Sequence, residues 1–279
     1  MEIQKNAAQE TQTRLNALMN KIQKFYDQPW SVYQKPFQIT DNIYYVGTSY
    51  VACYLIDTGE GLVILDTNFQ EHLYQVIHNI HQIGFDPTAI RHIFLSHGHV
   101  DHCGGTRCLQ ELCGAPVYIG EGDVFFFTQR RDLICNPERV PEFDIANTYD
   151  YSKPLTIGNT IFEFIHTPGH TPGCTSVLIH STLNGRLVIC AMHGGLGFNG
   201  LTLEELRTNR LPESLHQAFY DQLVACTKLK VDITIPSHNH DYDILGLAKM
   251  DSGSHEVFLV ADGWETMIRN KILNYLPLL

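Results

Sequence analysis

Four side chains that can bind a metal ion lie within six positions of one short stretch of this sequence. They are His97, His99, Asp101 and His102, and they follow the apolar run 93–95, which predicts the end of a buried strand. His97 and His99 are two positions apart, so in extended backbone their side chains leave on the same side. Asp101 and His102 come where the chain is expected to turn into a helix. One loop can therefore present ligands to two neighbouring points.

Two further histidines follow apolar runs later in the chain. His170 lies between the Thr-Pro-Gly triplets 167–169 and 171–173, which predict a rigid turn. His238 follows the apolar run 233–235, and His240 competes with it because the two face the same way in extended chain. Imidazole nitrogens and carboxylate oxygens are zinc ligands, and a catalytic zinc site leaves one position open for water. The set of histidines and one aspartate predicts a catalytic metal site.

The string His-x-His-x-Asp-His resembles the signature of the metallo-β-lactamase superfamily, and most closely the class B β-lactamases of subclass B3. The resemblance runs from about Phe37 to about Met250 and includes the strand-then-Asp segment 62–67, the turn 167–173 and the segment 235–238. It implies an α/β (α+β) fold, a four-layer αββα sandwich. It also implies two Zn²⁺ ions per chain, the first bound by His97, His99 and His170 and the second by Asp101, His102 and His238.

By the same resemblance the protein is a zinc-dependent hydrolase, in which a metal-bound hydroxide oriented by Asp101 attacks a carbonyl carbon. The favoured substrate is a β-lactam or related cyclic amide. Two alternatives stay open: a lactonase or thioesterase acting on a non-antibiotic metabolite, and a zinc-binding protein without catalysis. Subclass B3 enzymes receive the substrate carboxylate with serine-rich residues after the strand read here as 186–190. This chain has Gly-Gly-Leu-Gly-Phe at 194–198, which weakens a β-lactam as the physiological substrate.

A second departure follows the same strand. Many superfamily hydrolases carry Gly-Asp there, and that Asp bridges both metals, whereas this chain has Ala191, Met192 and His193. Subclass B3 enzymes also lack a bridging acid, so the difference favours them. His193 is an extra ligand, a substrate contact or an ordinary loop residue, and we rank the last two above the first.

Other residues near the motifs have simpler interpretations. Asp66 is expected to hydrogen-bond the metal-binding loop and hold its histidines in orientation, and a turn-forming role is compatible with that. Cys103 and Cys174 are interpreted as small apolar filler. Diiron relatives usually have Glu at the position of His99, so the nitrogen-rich set favours zinc over iron.

The composition limits the partners. The formal net charge of −11 over 279 residues argues against a nucleic-acid surface and against an anionic-membrane patch, because both attract basic stripes. We therefore expect a small-molecule substrate, with no nucleic-acid or membrane partner.

The eight cysteines show no tight pairing, and we expect them to be free thiols. The N-terminal residues lack a secretory signal, so we expect a cytoplasmic location, or a periplasmic or secreted one if a leader was removed. The oligomeric state is not determined by the sequence.

Periodicity places the elements that must position these residues. Apolar spacing predicts a helix over 9–26, so that residues 1–36 form an N-terminal helix and linker. Residues 37–250 alternate short strands with helices at 70–84, 105–114 and 213–229, which predicts sheets covered by helices. Residues 251–279 add a helical extension packed on the same domain. The segment 121–152 is expected to be irregular, and its Phe125-Phe126-Phe127 run is either part of a lid or core filling.

Overall fold

The structure of the chain, a computed structural model, describes residues 20–279. The N-terminal part of the helix expected over 9–26 lies outside the described residues, and residues 20–27 are helical (α1). The described chain divides between Tyr33 and Gln34 into two compact units. In the first unit, α1 is followed by a 3-10 turn, Pro29–Val32, where proline suits the first position because that N–H needs no partner.

The second unit contains, in the described chain, a seven-stranded and a five-stranded sheet. The first sheet follows chain order: β1 (Phe37–Gln38), β2 (Ile43–Tyr45), β3 (Tyr54–Asp57), β4 (Leu62–Leu65), β5 (Ile90–Phe94), β6 (Val117–Ile119) and β7 (Ile145–Thr148). Its pairs are antiparallel up to β4 and parallel from β4 onward. The second sheet has the order β12-β11-β10-β9-β8, built from β8 (Leu155–Ile157), β9 (Thr160–His166), β10 (Thr175–Leu183), β11 (Arg186–Met192) and β12 (Ile233–Thr234). Only the β11–β12 pair in it is parallel.

Side-chain alternation decides which residues enter the core between the sheets. On β3, Tyr54 and Ile56 lie in the main buried cluster, together with Phe94 of β5 and with Phe162 and Ile179 of the second sheet. Burial of aromatic and branched aliphatic surface on this scale is the dominant favourable contribution to the free energy of folding. The two sheets therefore form the central layers of the domain.

Helices follow the parallel strands and cover the sheets. The helices of the second unit are α2 (Leu73–Gln82), α3 (Val100–Cys103), α4 (Thr106–Cys113), α5 (Glu121–Thr128), α6 (Leu203–Thr208), α7 (Ser214–Cys226), α8 (Ile244–Met250) and α9 (Gly263–Tyr275). Helix α4 packs against β5. On the second sheet, Leu178 and Ala191 share a second buried cluster with Phe219 of α7 and Trp264 of α9. Two sheets between helical layers confirm the predicted fold class.

Two regions differ from the sequence-based expectation. The segment 121–152 begins with the regular helix α5 and ends with β7, the edge strand of the first sheet. Helix α6 was not anticipated, although Thr202 and Glu205 form a capping box at its start. The expectation of irregular structure over 121–152 was wrong at both ends. The apolar residues of α5, 124–127, are consecutive and point to different sides of the helix, so α5 lacks the one-sided periodicity by which a helix is recognised. No helix within residues 20–279 has the length and apolar character needed to cross a bilayer.

Candidate metal centre

Three imidazoles from two separate loops converge beyond the carboxyl ends of β5 and β9. His97 and His99 follow β5, and His99 has an extended backbone with φ −82° and ψ 151°. His170 lies in the turn 167–173 after β9. Its Nε2 atom is 3.2 Å from His97 Nε2 and 3.0 Å from His99 Nδ1. These residues, called the first triad, each direct one ring nitrogen to a common point.

A second triad lies beside the first. Asp101 and His102 occupy the first turn of α3, and His238 follows β12. His102 Nε2 is 3.0 Å from His238 Nε2, and Asp101 Oδ2 is 3.3 Å from the same His238 atom. The ring centroids of His97 and His102 are 4.1 Å apart, so the triads are adjacent. The structure thus brings together all six residues that the sequence singled out, in the expected grouping.

Asp66 connects the end of β4 to the loop that carries both motifs. Its backbone has φ 62°, a left-handed conformation that Asp tolerates better than most residues. Its buried carboxylate accepts hydrogen bonds from Ser96 N at 2.7 Å, from Ser96 Oγ at 2.8 Å and from His102 Nδ1 at 2.8 Å. One side chain therefore anchors the start of the loop 96–102 and the outer nitrogen of His102.

Hydrogen bonds at the outer nitrogens determine which tautomer each imidazole adopts. The acceptors are Asp66 for His102 Nδ1 at 2.8 Å, the Gly197 carbonyl for His170 Nδ1 at 2.7 Å, and Ser96 Oγ for His97 Nδ1 at 3.0 Å. Ser96 Oγ can accept because its own proton goes to Asp66. In a neutral imidazole a protonated Nδ1 leaves Nε2 as the acceptor. In its neutral form, each of these three rings therefore turns an Nε2 lone pair toward the centre of its triad. Burial favours that form for His102, but Asp101 and Asp66 outweigh burial and raise the pKa of His102, so a metal ion there would have to displace a proton.

Converging lone pairs make the donor set suitable for cations. His97 Nε2 and His170 Nε2 lie 3.2 Å apart, and two acceptor atoms at that distance do not stabilise one another unless a proton or a metal ion lies between them. Both triads combine imidazole nitrogen with at most one carboxylate, a ligand set that suits zinc and similar divalent transition metals. The residues present therefore fit two metal ions.

The electrostatics keep the imidazoles of the first triad neutral and the carboxylate ionised. Burial, followed by repulsion from neighbouring histidines, holds the pKa of His97 and of His170 well below the ordinary value. Burial also lowers the pKa of His99 to about 4. Burial opposes ionisation of Asp101, but His102 and His238 outweigh that effect and lower its pKa. Metal ions bind unprotonated imidazole and carboxylate, so the first triad and Asp101 are ready for a metal at neutral pH.

Asp123 of α5 is a residue of the site that the sequence reasoning missed. Its fully buried carboxylate accepts hydrogen bonds from Gly98 N at 2.8 Å, Thr171 Oγ1 at 2.8 Å and Gly173 N at 2.6 Å. Gly98 lies between His97 and His99 in the sequence, and Thr171 follows His170. Asp123 thus joins the two loops that form the first triad.

A sequence signal for this contact was available in the two glycines that flank the start of α5. A Cβ atom at Gly120 would lie 1.8 Å from the Gly173 carbonyl oxygen, and one at Gly122 would lie 2.6 Å from the Pro172 carbonyl. Glycine permits such close backbone approach. The pattern Gly-x-Gly-Asp at 120–123 is therefore the feature that predicts a contact with another loop.

His193 and His240 lie outside both triads. His193 is buried, donates from Nε2 to Gln222 Oε1 at 2.8 Å and accepts at Nδ1 from Gly195 N at 3.2 Å. Because both of its ring nitrogens are used, it offers none to a metal, and among the alternatives left open the loop role agrees best with this geometry. His240 stacks on Tyr50 at 5.8 Å between ring centroids, so of the two competing histidines it is His238 that reaches Asp101 and His102.

The cysteines do not contribute ligands to the triads. All eight are free thiols, as the sequence predicted. Cys103 and Cys174 are buried, and burial raises the pKa of each thiol well above its ordinary value, so neither forms a thiolate readily. They fill apolar space beside the loops.

A cavity of about 150 Å³ opens beside His99 and His170, between the turn 167–173 and the segment containing α6. A larger cavity, of about 580 Å³, lies between α5 and β7. The larger one includes no residue of either triad in its lining, so the smaller cavity is the one relevant to chemistry at the triads.

Comparisons with solved structures agree with this architecture. The class B3 di-zinc metallo-β-lactamase LRA-12 from an Alaskan soil metagenome superimposes with a TM-score of 0.80 at 23% identity, covering 90% of this chain and 96% of that one. BJP-1, a subclass B3 metallo-β-lactamase of Bradyrhizobium japonicum, gives 0.77 at 24% identity, covering 90% and 95%. At these identities the likeness establishes the fold.

The relatives found by sequence similarity have other names than the β-lactamases found by structure. The uncharacterized protein YobT of Bacillus subtilis (strain 168) is 30% identical over 177 residues, 60% of this chain and 72% of YobT. An N-acyl homoserine lactonase of a Bacillus species is 22% identical over 165 residues, and the match covers 50% of this chain and 62% of that lactonase.

The family itself is identified by a family model. The model of the metallo-beta-lactamase superfamily matches residues 46–238, a range that contains all six residues of the two triads. With the sandwich fold and the paired triads, this match shows that the chain belongs to the metallo-β-lactamase superfamily and is a hydrolase of that superfamily.

Proposed function

We propose that this protein is a dizinc hydrolase that opens a carbonyl–nitrogen or carbonyl–oxygen bond in a small cyclic substrate, in the first place a β-lactam or related cyclic amide. The first triad would hold one zinc ion, and Asp101, His102 and His238 the other. The observation that carries the proposal is the convergence of the Nε2 lone pairs of His97 and His170 at 3.2 Å in the first triad, with the second triad beside it. Such an arrangement needs a cation to be stable.

The chain's own residues have defined tasks in this reaction. Bound zinc supplies Lewis acidity, which lowers the pKa of water and polarises a carbonyl group. Asp101 is ionised at neutral pH and accepts a hydrogen bond from the attacking water, which orients it toward the carbonyl carbon. Asp66 keeps the His102 ring in position through its 2.8 Å hydrogen bond. Asp123 and Gly197 keep the His97–His99 segment and His170 aligned.

Two features bear on the choice of ring. A second triad that includes His102, with no acidic residue directly after β11, resembles the ligand set of subclass B3 β-lactamases and supports a lactam. A lactone is the second candidate, supported by similarity to a protein named N-acyl homoserine lactonase. Both reactions need the same attack on a carbonyl carbon, so the metal centre serves either.

The test combines metal analysis with turnover. We expect two zinc ions per chain, and zinc-dependent hydrolysis of a chromogenic cephalosporin or of an acyl lactone that is lost on chelation and restored by zinc. His170→Ala should leave one zinc ion per chain and reduce turnover by more than about 100-fold, the upper range for loss of a ligand's outer partner. His240→Ala is the matched control, because His240 lies near His238 but outside the triads. Protein that binds zinc but hydrolyses neither ring would contradict the proposal.

A further inference from the structure

The cavity of about 580 Å³ lies away from both triads, between α5 and the edge strand β7. Phe127 of α5 and Phe143, which precedes β7, line it with their ring centroids 4.9 Å apart. All four residues of β7, Ile145–Thr148, also line it. A cleft of this volume is within the range of ligand-binding sites in proteins. Because no residue of either triad lines it, its role is separate from the metal centre.

The cavity runs along a strand edge that retains hydrogen-bonding capacity. β7 pairs with β6 on one side, and it ends the strand order of its sheet on the other. Within residues 20–279, the backbone groups of Ala146, Asn147 and Thr148 have no hydrogen-bond partner outside the ladder with β6. An open edge of this kind can accept an additional strand through main-chain hydrogen bonds.

A second, smaller cavity lies on the opposite face of β7. It measures about 120 Å³, and its lining includes Asn147 and Thr148 together with Tyr118, Leu155 and Phe164, which pack in or against the core between the sheets. Successive side chains of a β-strand point to opposite faces of the sheet. An extended segment paired with β7 would therefore direct its side chains alternately to the cavity beside α5 and to the cavity between the sheets.

Hydrogen bonds from neighbouring elements hold the strand and the segment before it in place. The Gln110 side chain of α4 donates to the Asp144 carbonyl at 2.9 Å and accepts from the Asp144 N–H at 2.9 Å. Arg131 Nη2 donates to the carbonyls of Pro137 and Val140 at 3.0 and 2.6 Å. A site whose walls are already ordered loses little conformational entropy when a ligand binds.

The charges along the larger cavity favour a basic ligand. Glu142 and Asp144 line it and are exposed, and neither carboxylate has an ion-pair partner within the part of the chain that the structure describes. Arg107, which donates to the Glu142 carbonyl, is itself paired with Glu111 at 2.6 Å. Arg131 also lines the cavity, so its lining carries two carboxylates and one guanidinium. The excess of negative charge attracts cationic side chains.

The same charges disfavour a second copy of the chain as the ligand. An antiparallel pairing of β7 with the β7 of another copy, centred on Ala146, would bring Glu142 opposite Asp150 at both ends of the pair. Like charges directly opposite each other destabilise a strand pair. A foreign segment with the opposite charge is free of this repulsion.

We propose that the space between α5 and β7, called the edge groove, binds an extended basic segment of a partner protein, which joins the first sheet as a strand beside β7. Main-chain hydrogen bonds to 146–148 supply the affinity, and alternate apolar side chains enter the two cavities. Lysine or arginine side chains of the partner meet Glu142 and Asp144. This interaction does not depend on hydrolysis at the metal centre.

The binding test uses the zinc-loaded full chain and a fluorescein-labelled, amidated peptide, Lys-Val-Thr-Val-Lys-Val-Thr, followed by fluorescence anisotropy at low ionic strength. We expect saturable binding. With Glu in place of both Lys, affinity should fall at least about ten-fold, because modestly favourable ion pairs are replaced by repulsive contacts. A peptide N-methylated at every residue should not bind, since it cannot donate main-chain hydrogen bonds. Absence of saturable binding, or equal affinity for the basic and acidic peptides, would overturn the proposal.

Hydrogen exchange and charge reversal then locate the peptide. Binding should slow amide exchange in β7 and leave exchange in α7 unchanged. Replacing both carboxylates, Glu142→Lys with Asp144→Lys, should reverse the preference in favour of the acidic peptide. Asp221→Lys, at an exposed position of α7, is the matched control and should keep the preference for the basic peptide. If the charge-reversed variant binds both peptides as the unsubstituted protein does, the assignment to the edge groove is wrong.

Sedimentation distinguishes a partner protein from a second copy. We expect the same oligomeric state for the unsubstituted protein and for Glu142→Lys with Asp144→Lys, and no change when the basic peptide is added. Self-association of the unsubstituted protein that the peptide reverses would show that a second copy occupies the edge groove. That result would overturn the assignment to a partner protein.

Discussion

Replacing Asp123 by Asn tests whether one buried carboxylate holds the first triad together. The carboxylate accepts from Gly98 N, Thr171 Oγ1 and Gly173 N, whereas an amide has a single oxygen acceptor. If that oxygen keeps Gly98 and Thr171, the amide nitrogen faces Gly173 N, which lies 2.6 Å from the carboxylate oxygen. Losing a hydrogen bond to a charged acceptor costs about 1.5–3 kcal/mol.

An opposing effect comes from the burial of the charge. Burial raises the pKa of Asp123 from 3.8 to about 6, against the influence of its hydrogen bonds. At about 1.36 kcal/mol per pKa unit, the ionised carboxylate costs the folded state about 3 kcal/mol at pH 7. The two effects are similar in size, so we expect the free energy of unfolding of Asp123→Asn at pH 7 to lie within about 1.5 kcal/mol of the unsubstituted protein. Zinc affinity should fall by about 10- to 100-fold, because Gly98 and the turn 167–173 lose their common anchor.

The pH dependence provides a second measurement. The pKa of Asp123 is higher in the folded state than in the unfolded state, so between about pH 4 and pH 6 the folded state binds more protons than the unfolded state. The contribution of Asp123 to stability therefore decreases as the pH rises through that window. In Asp123→Asn that contribution is absent. We therefore expect the stability of the unsubstituted protein minus that of the variant to decrease by up to about 3 kcal/mol from pH 4 to pH 7.

Urea unfolding of the metal-free proteins and competition with a chromophoric zinc chelator provide the two readouts. Asp221→Asn, at an exposed position of α7, is the matched control and should behave as the unsubstituted protein in both. A stability difference that stays constant from pH 4 to pH 7, together with unchanged zinc affinity, would refute the reasoning.

Two further substitutions address the loop 193–197. In Gly195→Ala the added Cβ would lie 2.3 Å from His170 Cδ2, so the His170 ring must move. Zinc affinity, measured with the same chelator, should therefore fall at least about ten-fold. Equal affinity would show that the loop moves instead of the ring. His193→Ala leaves the buried Gly195 N–H without its acceptor and leaves the Gln222 side-chain oxygen with only the Cys226 thiol as a donor. The free energy of unfolding, measured in urea, should fall by about 1–3 kcal/mol. A variant with an unchanged unfolding midpoint would contradict the structural role.

Much of the fold follows from local sequence pattern. Continuous apolar runs such as 62–65 and 93–95 lie in or directly follow buried strands, and the helices expected at 70–84 and 213–229 are present within a few residues as α2 and α7. These elements could be predicted because each carries its own periodicity. The short helices α5 and α6 could not, because α5 has no apolar face distinct from a polar one and α6 spans only Leu203–Thr208.

The sequence by itself determined which residue types are available. It also determined that His97, His99, Asp101 and His102 share one loop, because spacing of two to five residues is a local property of the chain. Only the tertiary structure decided that His170 and His238, each separated from that loop by more than 65 residues, reach it with their Nε2 atoms directed inward. It also decided that His193 bonds Gln222 and Gly195, and that Asp123 joins two loops. Hydrogen bonds between segments distant in the chain depend on how the two sheets pack, and no local pattern encodes that packing.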